Sequence, residues 1–222
     1  MSITAPTSFD EISYPFDERP ERSKLQEVGP GVYWLAMPMS GSLAYINLYL
    51  LKDHHGWWIV DTGLANKDTE TVWDDVFTNE LGGKPVVGVI CTHMHPDHIG
   101  QAKTITDRFQ CPLYMTQGEY YQARAFSNGG GHSRSGWIGE KFYTQAGMPT
   151  DYLQQLATMW ESRESEGMSM PTMVQGYERL HDGQLLRIGD TDWQIVVGSG
   201  HSPEHACLYS SALKILISGD QI

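Results

Sequence analysis

Cysteine is scarce: the 222 residues contain three, Cys91, Cys111 and Cys207, with no C-x-x-C spacing. An odd set without ligand or redox spacing argues against a disulfide framework, and two of the three lie in or beside apolar runs, so they read as reduced and buried. Cys91 stands two residues before a histidine and by strand alternation can share its side, which leaves a thiolate role open. Long hydrophobic runs are also missing. No stretch reaches the roughly eighteen apolar residues of a membrane span. The opening MSITAPTSFDEISYPFDERPERS has neither the basic nor the apolar region of a signal peptide, so a cytoplasmic protein without membrane contact is expected. Cations are in deficit, with 15 Lys and Arg against 27 Asp and Glu and a formal charge of −12. Nucleic-acid binding usually shows a basic face, so a polyanionic partner is disfavoured, although divalent cations in a site would invert the field locally.

What is present is globular: 40% of residues are apolar, with seven Trp and eleven Tyr, which at this length predicts one domain with a sizeable core. The densest chemistry is Thr92-His93-Met94-His95-Pro96-Asp97-His98. It follows PVVGVIC (85–91), a buried strand by length and β-branched content, and precedes Ile99, Ala102, Ile105 and Phe109 at helical spacing. The ligand candidates therefore lie on a loop at a strand's C-terminal end. On extended backbone His93 and His95 project to one side and can clamp one cation, while Asp97 and His98 at the helix start point elsewhere and can serve a second. Imidazoles with a carboxylate suit zinc, and also iron or manganese. Gly198-Ser199-Gly200-His201 and Ser218-Gly219-Asp220 each place another ligand candidate just past a strand, so that three strand ends converge on one rim.

The H-x-H-x-D-H run, with Asp61-Thr62-Gly63, Gly200-His201-Ser202-Pro203-Glu204-His205 and Ser218-Gly219-Asp220, resembles the metallo-β-lactamase superfamily and its glyoxalase II-like hydrolases, from about Gly31 to the last residue. The resemblance implies that His93, His95 and His201 hold one metal, that Asp97 and His98 hold a second, and that Asp220 bridges them. It implies one or two Zn2+ per chain, a metal-bound hydroxide as nucleophile, and Asp97 as the group that orients it and takes its proton. Asp61 would support the ligand loop from behind, its alternative role being a plain turn cap. His205 reads as a core or supporting residue more readily than a ligand.

Along the chain, residues 1–23 carry three prolines and many charges without periodicity and read as an irregular arm, with the domain running from 24 to 222. Strands are expected at 32–37, 45–51, 57–61, 85–91 and 113–116, with a helix over 66–81 capped by Gly82-Gly83. A helical insert occupies about 117–173, and its aromatic and methionine side chains fit either a substrate lid or simple packing. Its glycine-rich loop carries His132 and Arg134, candidate substrate contacts. Strands resume at 177–180, 185–188, 193–197, 206–209 and 214–217, with His181-Asp182-Gly183 as a hairpin turn. His54, His55 and His181 fall on turns and read as solvated. The pattern predicts an α/β fold, a four-layer αββα sandwich in which the halves 32–116 and 177–217 each form one sheet. Superfamily members add a further histidine beyond the strand after the bridging aspartate, so a longer chain with closing strands and a helix is expected here.

The reading favoured is a hydrolase of a small ester, thioester or lactone. An iron oxygenase resembling persulfide dioxygenases, using His93, His201 and Asp220, is the alternative, and a phosphodiesterase or ribonuclease is a third.

Overall fold

The computed structural model describes residues 13–39, 43–127, 137–165 and 171–221. His132 and Arg134 lie outside them. In chain order the elements are β1 (Gln26–Gly29), β2 (Val32–Pro38), β3 (Tyr45–Lys52), β4 (Trp57–Val60), α1 (Lys67–Asn79), β5 (Val86–Ile90), α2 (Pro96–Ile99), α3 (Ala102–Phe109) and β6 (Leu113–Thr116). There follow α4 (Gln117–Ala125), α5 (Trp137–Gln145), α6 (Thr150–Ser165), β7 (Glu178–Leu180), β8 (Leu185–Ile188), β9 (Thr191–Gly198), β10 (His205–Ser210) and β11 (Ile215–Ile217).

Strands β1 to β7 form one sheet in sequence order, and the second sheet has the order β11-β10-β9-β8. The first four strands pair antiparallel. From β4 to β7 the pairing is parallel, because helical segments return the chain between successive strands. Strand β4, Trp57-Trp58-Ile59-Val60, is buried at every position, as a strand covered on both faces must be. Trp57 and Ile59 share a core with Val72, Trp73 and Val76 of α1 and Ile105 of α3. Trp58 and Val60 belong to the core between the sheets, with Trp193, Ile195, Leu208 and Ile217.

The expected α/β sandwich is therefore present. The described residues supply three of its layers, namely helices, a seven-stranded sheet and a four-stranded sheet. On the outer face of the four-stranded sheet Leu185, Val196, Tyr209 and Leu216 are exposed.

Four local expectations need correction. The halves do not divide at the insert, since β7 joins the first sheet beside β6, with Thr116 opposite Leu180. His181-Asp182-Gly183 is consequently a crossover between sheets, tied down by Gly183 N–H to the Ile195 carbonyl at 2.8 Å and Val197 N–H to Asp182 Oδ1 at 2.9 Å. Turn residues report a change of direction, not the partner of the strand that precedes it. Helix α1 stops at Asn79 with Glu80 as its cap, before the glycines, and opens on Asn66, whose side chain accepts from Thr69 N–H. Strand β1, short and polar, has no counterpart in the sequence pattern.

In the insert, Tyr120 is buried and stacks on Tyr177 with ring centroids 3.8 Å apart. Phe142 of α5 and Tyr152 and Met159 of α6 are exposed and so do not pack these helices onto the sheet. The described part of the N-terminal arm is pinned to α1 by Arg22 to Asp68 and Ser23 to Asp75, and Lys24 just beyond it pairs with the α1 cap residue Glu80. No helix among the described residues is long and apolar enough to cross a membrane.

Candidate metal centre

Parallel pairing places the C-terminal ends of β4, β5 and β6 on one rim, where open α/β sheets hold their ligands. Asp61 follows β4 and Thr92-His93 follow β5. In the second sheet β9 and β11 flank the antiparallel β10, so the loops after Gly198 and Ile217 emerge at the same edge. A backbone bond joins the two edges, Ala206 N–H to the Thr92 carbonyl at 2.8 Å.

Three imidazoles meet there. His93 Nε2 and His95 Nδ1 are 2.9 Å apart, His201 Nε2 and His95 Nδ1 2.9 Å, and His201 Nε2 and His93 Nε2 3.2 Å. Three ring nitrogens cannot satisfy one another pairwise, because a neutral imidazole has a single donor. Tetrahedral zinc with bonds of about 2.0–2.1 Å spaces its ligand atoms about 3.3 Å apart, so this triangle has the dimensions of a cation cradle.

His98 faces the cluster from below. Its Nε2 is buried and has no hydrogen-bond partner among the described residues. Asp220 Oδ1 stands 3.4 Å from that nitrogen and Asp97 Oδ2 3.6 Å. The other oxygen of Asp220 is 3.5 Å from His201 Nε2, so this carboxylate spans the two histidine groups. An orphaned buried nitrogen between two carboxylates is a second place that fits a cation, and His93, His98 and Asp220 form a compact ligand group of their own. The site is graded in depth: His93 and His98 are buried, His95 and Asp97 half-buried, and His201 and Asp220 open to solvent.

Asp61 organises the buried side. Its Oδ1 accepts Thr92 N–H at 2.8 Å, and its Oδ2 accepts the Thr92 hydroxyl at 2.8 Å and His98 Nδ1–H at 2.9 Å. The Thr92 proton being committed to Asp61, its Oγ1 accepts from His93 Nδ1 at 3.0 Å. One carboxylate thus holds both buried rings with Nε2 turned inward. Asp61 has φ 63°, a left-handed backbone that aspartate tolerates better than most side chains. Thr62 adds a second anchor, its N–H at 2.8 Å and hydroxyl at 2.7 Å both meeting the His98 carbonyl.

The electrostatics divide the histidines. Burial, reinforced by the neighbouring rings, pushes His93 far below the ordinary imidazole range, and burial with His201 lowers His95. Burial also opposes a charge on His98, but Asp61, Asp220 and Asp97 together overcome it and raise His98 well above the usual value. Asp220 is held low, chiefly by the neighbouring His98 imidazole 3.4 Å away. His93 and His95 are therefore ready to bind a cation as they stand, whereas His98 must surrender a proton.

His205 is buried and stacks on His93 with centroids 4.7 Å apart, and its Nε2 accepts Asp220 N–H at 3.1 Å. It seats the Asp220 backbone and is not one of the converging ligand candidates. Gly219 has φ 50°, and a Cβ there would lie 2.7 Å from the His205 ring. Cys91 is fully buried with its Sγ 3.7 Å from the His98 carbonyl, and burial and Asp61 hold the thiol protonated. His54 pairs with Asp190 at 3.2 Å away from the cluster, and His55 and His181 are exposed. Sequence reasoning missed Thr92, Thr62 and Glu119. Glu119, in the first turn of α4, receives three hydrogen bonds from the two ligand loops. No local signal marks it, since an acid in a first turn is what any helix favours.

The sequence model of the metallo-beta-lactamase superfamily matches residues 42–222. The chain belongs to that superfamily. A beta-lactamase domain protein from Burkholderia ambifaria is 34% identical with a TM-score of 0.70, the match covering 90% of this chain and 55% of that one. A metallo-beta-lactamase family protein from Thermus thermophilus is similar at 24% identity and TM-score 0.67, over 85% of this chain and 58% of that one, a likeness of fold alone. A curated relative, acyl-coenzyme A thioesterase MBLAC2 of Bos taurus, is 23% identical over 89% of this chain and 65% of its own length. An uncharacterized protein of Aquifex aeolicus is 25% identical over 61% of this chain and 48% of its own. The chain thus spans between about half and two thirds of the length of these relatives. Its histidine cluster is a donor set that fits a divalent cation.

Proposed function

We propose that this superfamily member is a zinc-dependent hydrolase of a small carboxylic thioester, with esters and lactones as related substrates. The observation that carries the reading is the His93, His95 and His201 triangle beside the orphaned Nε2 of His98. The thioester class draws support from the name of the relative of Bos taurus, and acyl-coenzyme A is the corresponding test substrate.

His93, His95 and His201 would hold one zinc, and Asp97 and His98 a second, with Asp220 between them. Bound there, the ions would supply a water of lowered pKa and a polarised carbonyl. The residues do the rest. Asp97, half-buried and 3.6 Å from His98 Nε2, would accept the proton released from the attacking water. Asp61 keeps the His93 and His98 rings from rotating, and so fixes where the reacting atoms meet. His132 and Arg134 are proposed as substrate contacts from their loop.

The test is metal quantification of the purified chain with a panel of acyl-coenzyme A, simple thioester, ester, lactone, β-lactam and phosphodiester substrates. Thiol release from a thioester, abolished by a chelator and restored by zinc, is the expected result. Iron with oxygen uptake, or turnover of the phosphodiester alone, would overturn it.

A further inference from the structure

Glu119 is completely buried, and among the described residues it forms no ion pair. Its carboxylate is compensated by three donors. Oε2 accepts Met94 N–H at 2.9 Å, and Oε1 accepts Glu204 N–H at 2.7 Å and the Ser202 hydroxyl at 2.8 Å. Met94 is the residue between His93 and His95, and Ser202 follows His201. A single side chain therefore holds the two loops that bring the three imidazoles together, one loop from each sheet.

The attachment is reciprocal. Thr116, the N-cap residue of α4, makes no side-chain cap; its hydroxyl donates to the Glu204 carbonyl at 2.7 Å. The cap comes from across the sandwich, where Glu204 Oε2 accepts Gly118 N–H at 2.6 Å. A Cβ on Gly118 would stand 3.0 Å from that carboxylate, so the close approach depends on glycine. Glu119 from α4 reaches into the 202–204 loop while Glu204 from that loop reaches back to α4.

A buried carboxylate is a poor way to gain stability, because desolvation offsets most of what its bonds return and an apolar side chain of similar size often serves as well. What it provides is position. We infer that Glu119 is a positioning residue that sets the spacing of His93, His95 and His201, so that the cradle is formed before any ion arrives. The inference rests on the metal reading above but not on the identity of the substrate.

Glu119→Gln keeps the shape and replaces one acceptor oxygen by an amide donor, which must then face a donor on one of the two loops. In competition with a chromogenic chelator, the tighter zinc site of E119Q is expected to weaken about 10- to 100-fold, the usual range for a group behind a ligand. The weaker site, steadied by Asp61, should change far less. The visible spectrum of the cobalt(II)-loaded protein should shift as the three-nitrogen geometry relaxes. Ser202→Ala, which removes one bond of three, should give a smaller loss in the same direction, and it carries the test alone if E119Q does not fold. Unchanged affinity and cobalt spectrum in folded E119Q would overturn the inference even if the unfolding midpoint fell, since Glu119 would then serve the fold only. Unchanged affinity in S202A, if that variant stands alone, would do the same. A parent chain that takes up neither zinc nor cobalt would sink the metal reading and this inference with it.

Discussion

Asp61 Oδ2 accepts a hydrogen bond from His98 Nδ1 at 2.9 Å across 37 residues of chain, between the end of one strand and the helix that follows the next. The same oxygen takes the Thr92 hydroxyl at 2.8 Å, so removing its charge disturbs both buried imidazoles.

Asp61→Asn should weaken the metal position at His98 about 10- to 100-fold, and a donor facing a donor should cost about 1–3 kcal/mol of stability. The pH dependence has a definite sign. In the metal-free protein His98 is raised above its unfolded value of 6.5, against burial, by Asp61, Asp220 and Asp97. Its contribution is present in full below that value and is lost as pH rises through the folded one. The stability gap between parent and variant should be widest in mild acid and narrow in alkali. Denaturant unfolding of the two metal-free proteins across pH would measure it, and a gap that widened in alkali would contradict the assignment.

Metal titration should resolve two positions of unequal strength. Three imidazoles within 3.2 Å of one another offer a ready cradle, whereas the position at His98 must first displace a proton. Calorimetry in buffers of different ionisation enthalpy should detect proton release mainly with the weaker site. His201→Ala should abolish the tight site, and His98→Ala should leave it.

The thiols should be inert in the native protein. Burial pushes Cys111 up to about 11, raises Cys207, and with Asp61 holds Cys91 well above its usual value. A chromogenic thiol reagent at pH 8 should react slowly with the folded chain and with three thiols in denaturant. Raised thiol values also mean that stability declines as pH climbs from about 9 to about 11, which alkaline unfolding curves would detect.

Gly219→Ala should impair metal retention more than folding. A Cβ there would crowd the His205 ring at 2.7 Å and Thr92 Oγ1 at 3.0 Å, at a backbone φ of 50°. The displaced group would be Asp220, whose N–H rests on His205. A chain that retained both metals with parental affinity would show that the His205 seat is dispensable.

Most elements were legible because their cause is local. The length and β-branched content of residues 85–91 mark a strand, Asn66 opens α1 as an N-cap should, and Pro96 begins a helix directly after His95. The cluster His93 to His98 was equally plain, since four potential ligands in six residues have little other use, and glycine before His201 and Asp220 pointed to strand ends.

Contacts between residues distant in sequence were not legible, because nothing in a local window records a partner 80 residues away. Strand β7 looked like the start of the second sheet until its pairing with β6 placed it in the first. Glu119 looked like any first-turn acid, and its value comes from Met94 on one side and Ser202 and Glu204 on the other. His95 turning its Nδ1, rather than Nε2, to the cluster depends on where His93 and His201 stand. Residue types and local periodicity therefore specify the ligand candidates and the strands that carry them. The packing of two sheets specifies their spacing, because a cradle about 3 Å across can be held only by bonds that cross from one sheet to the other.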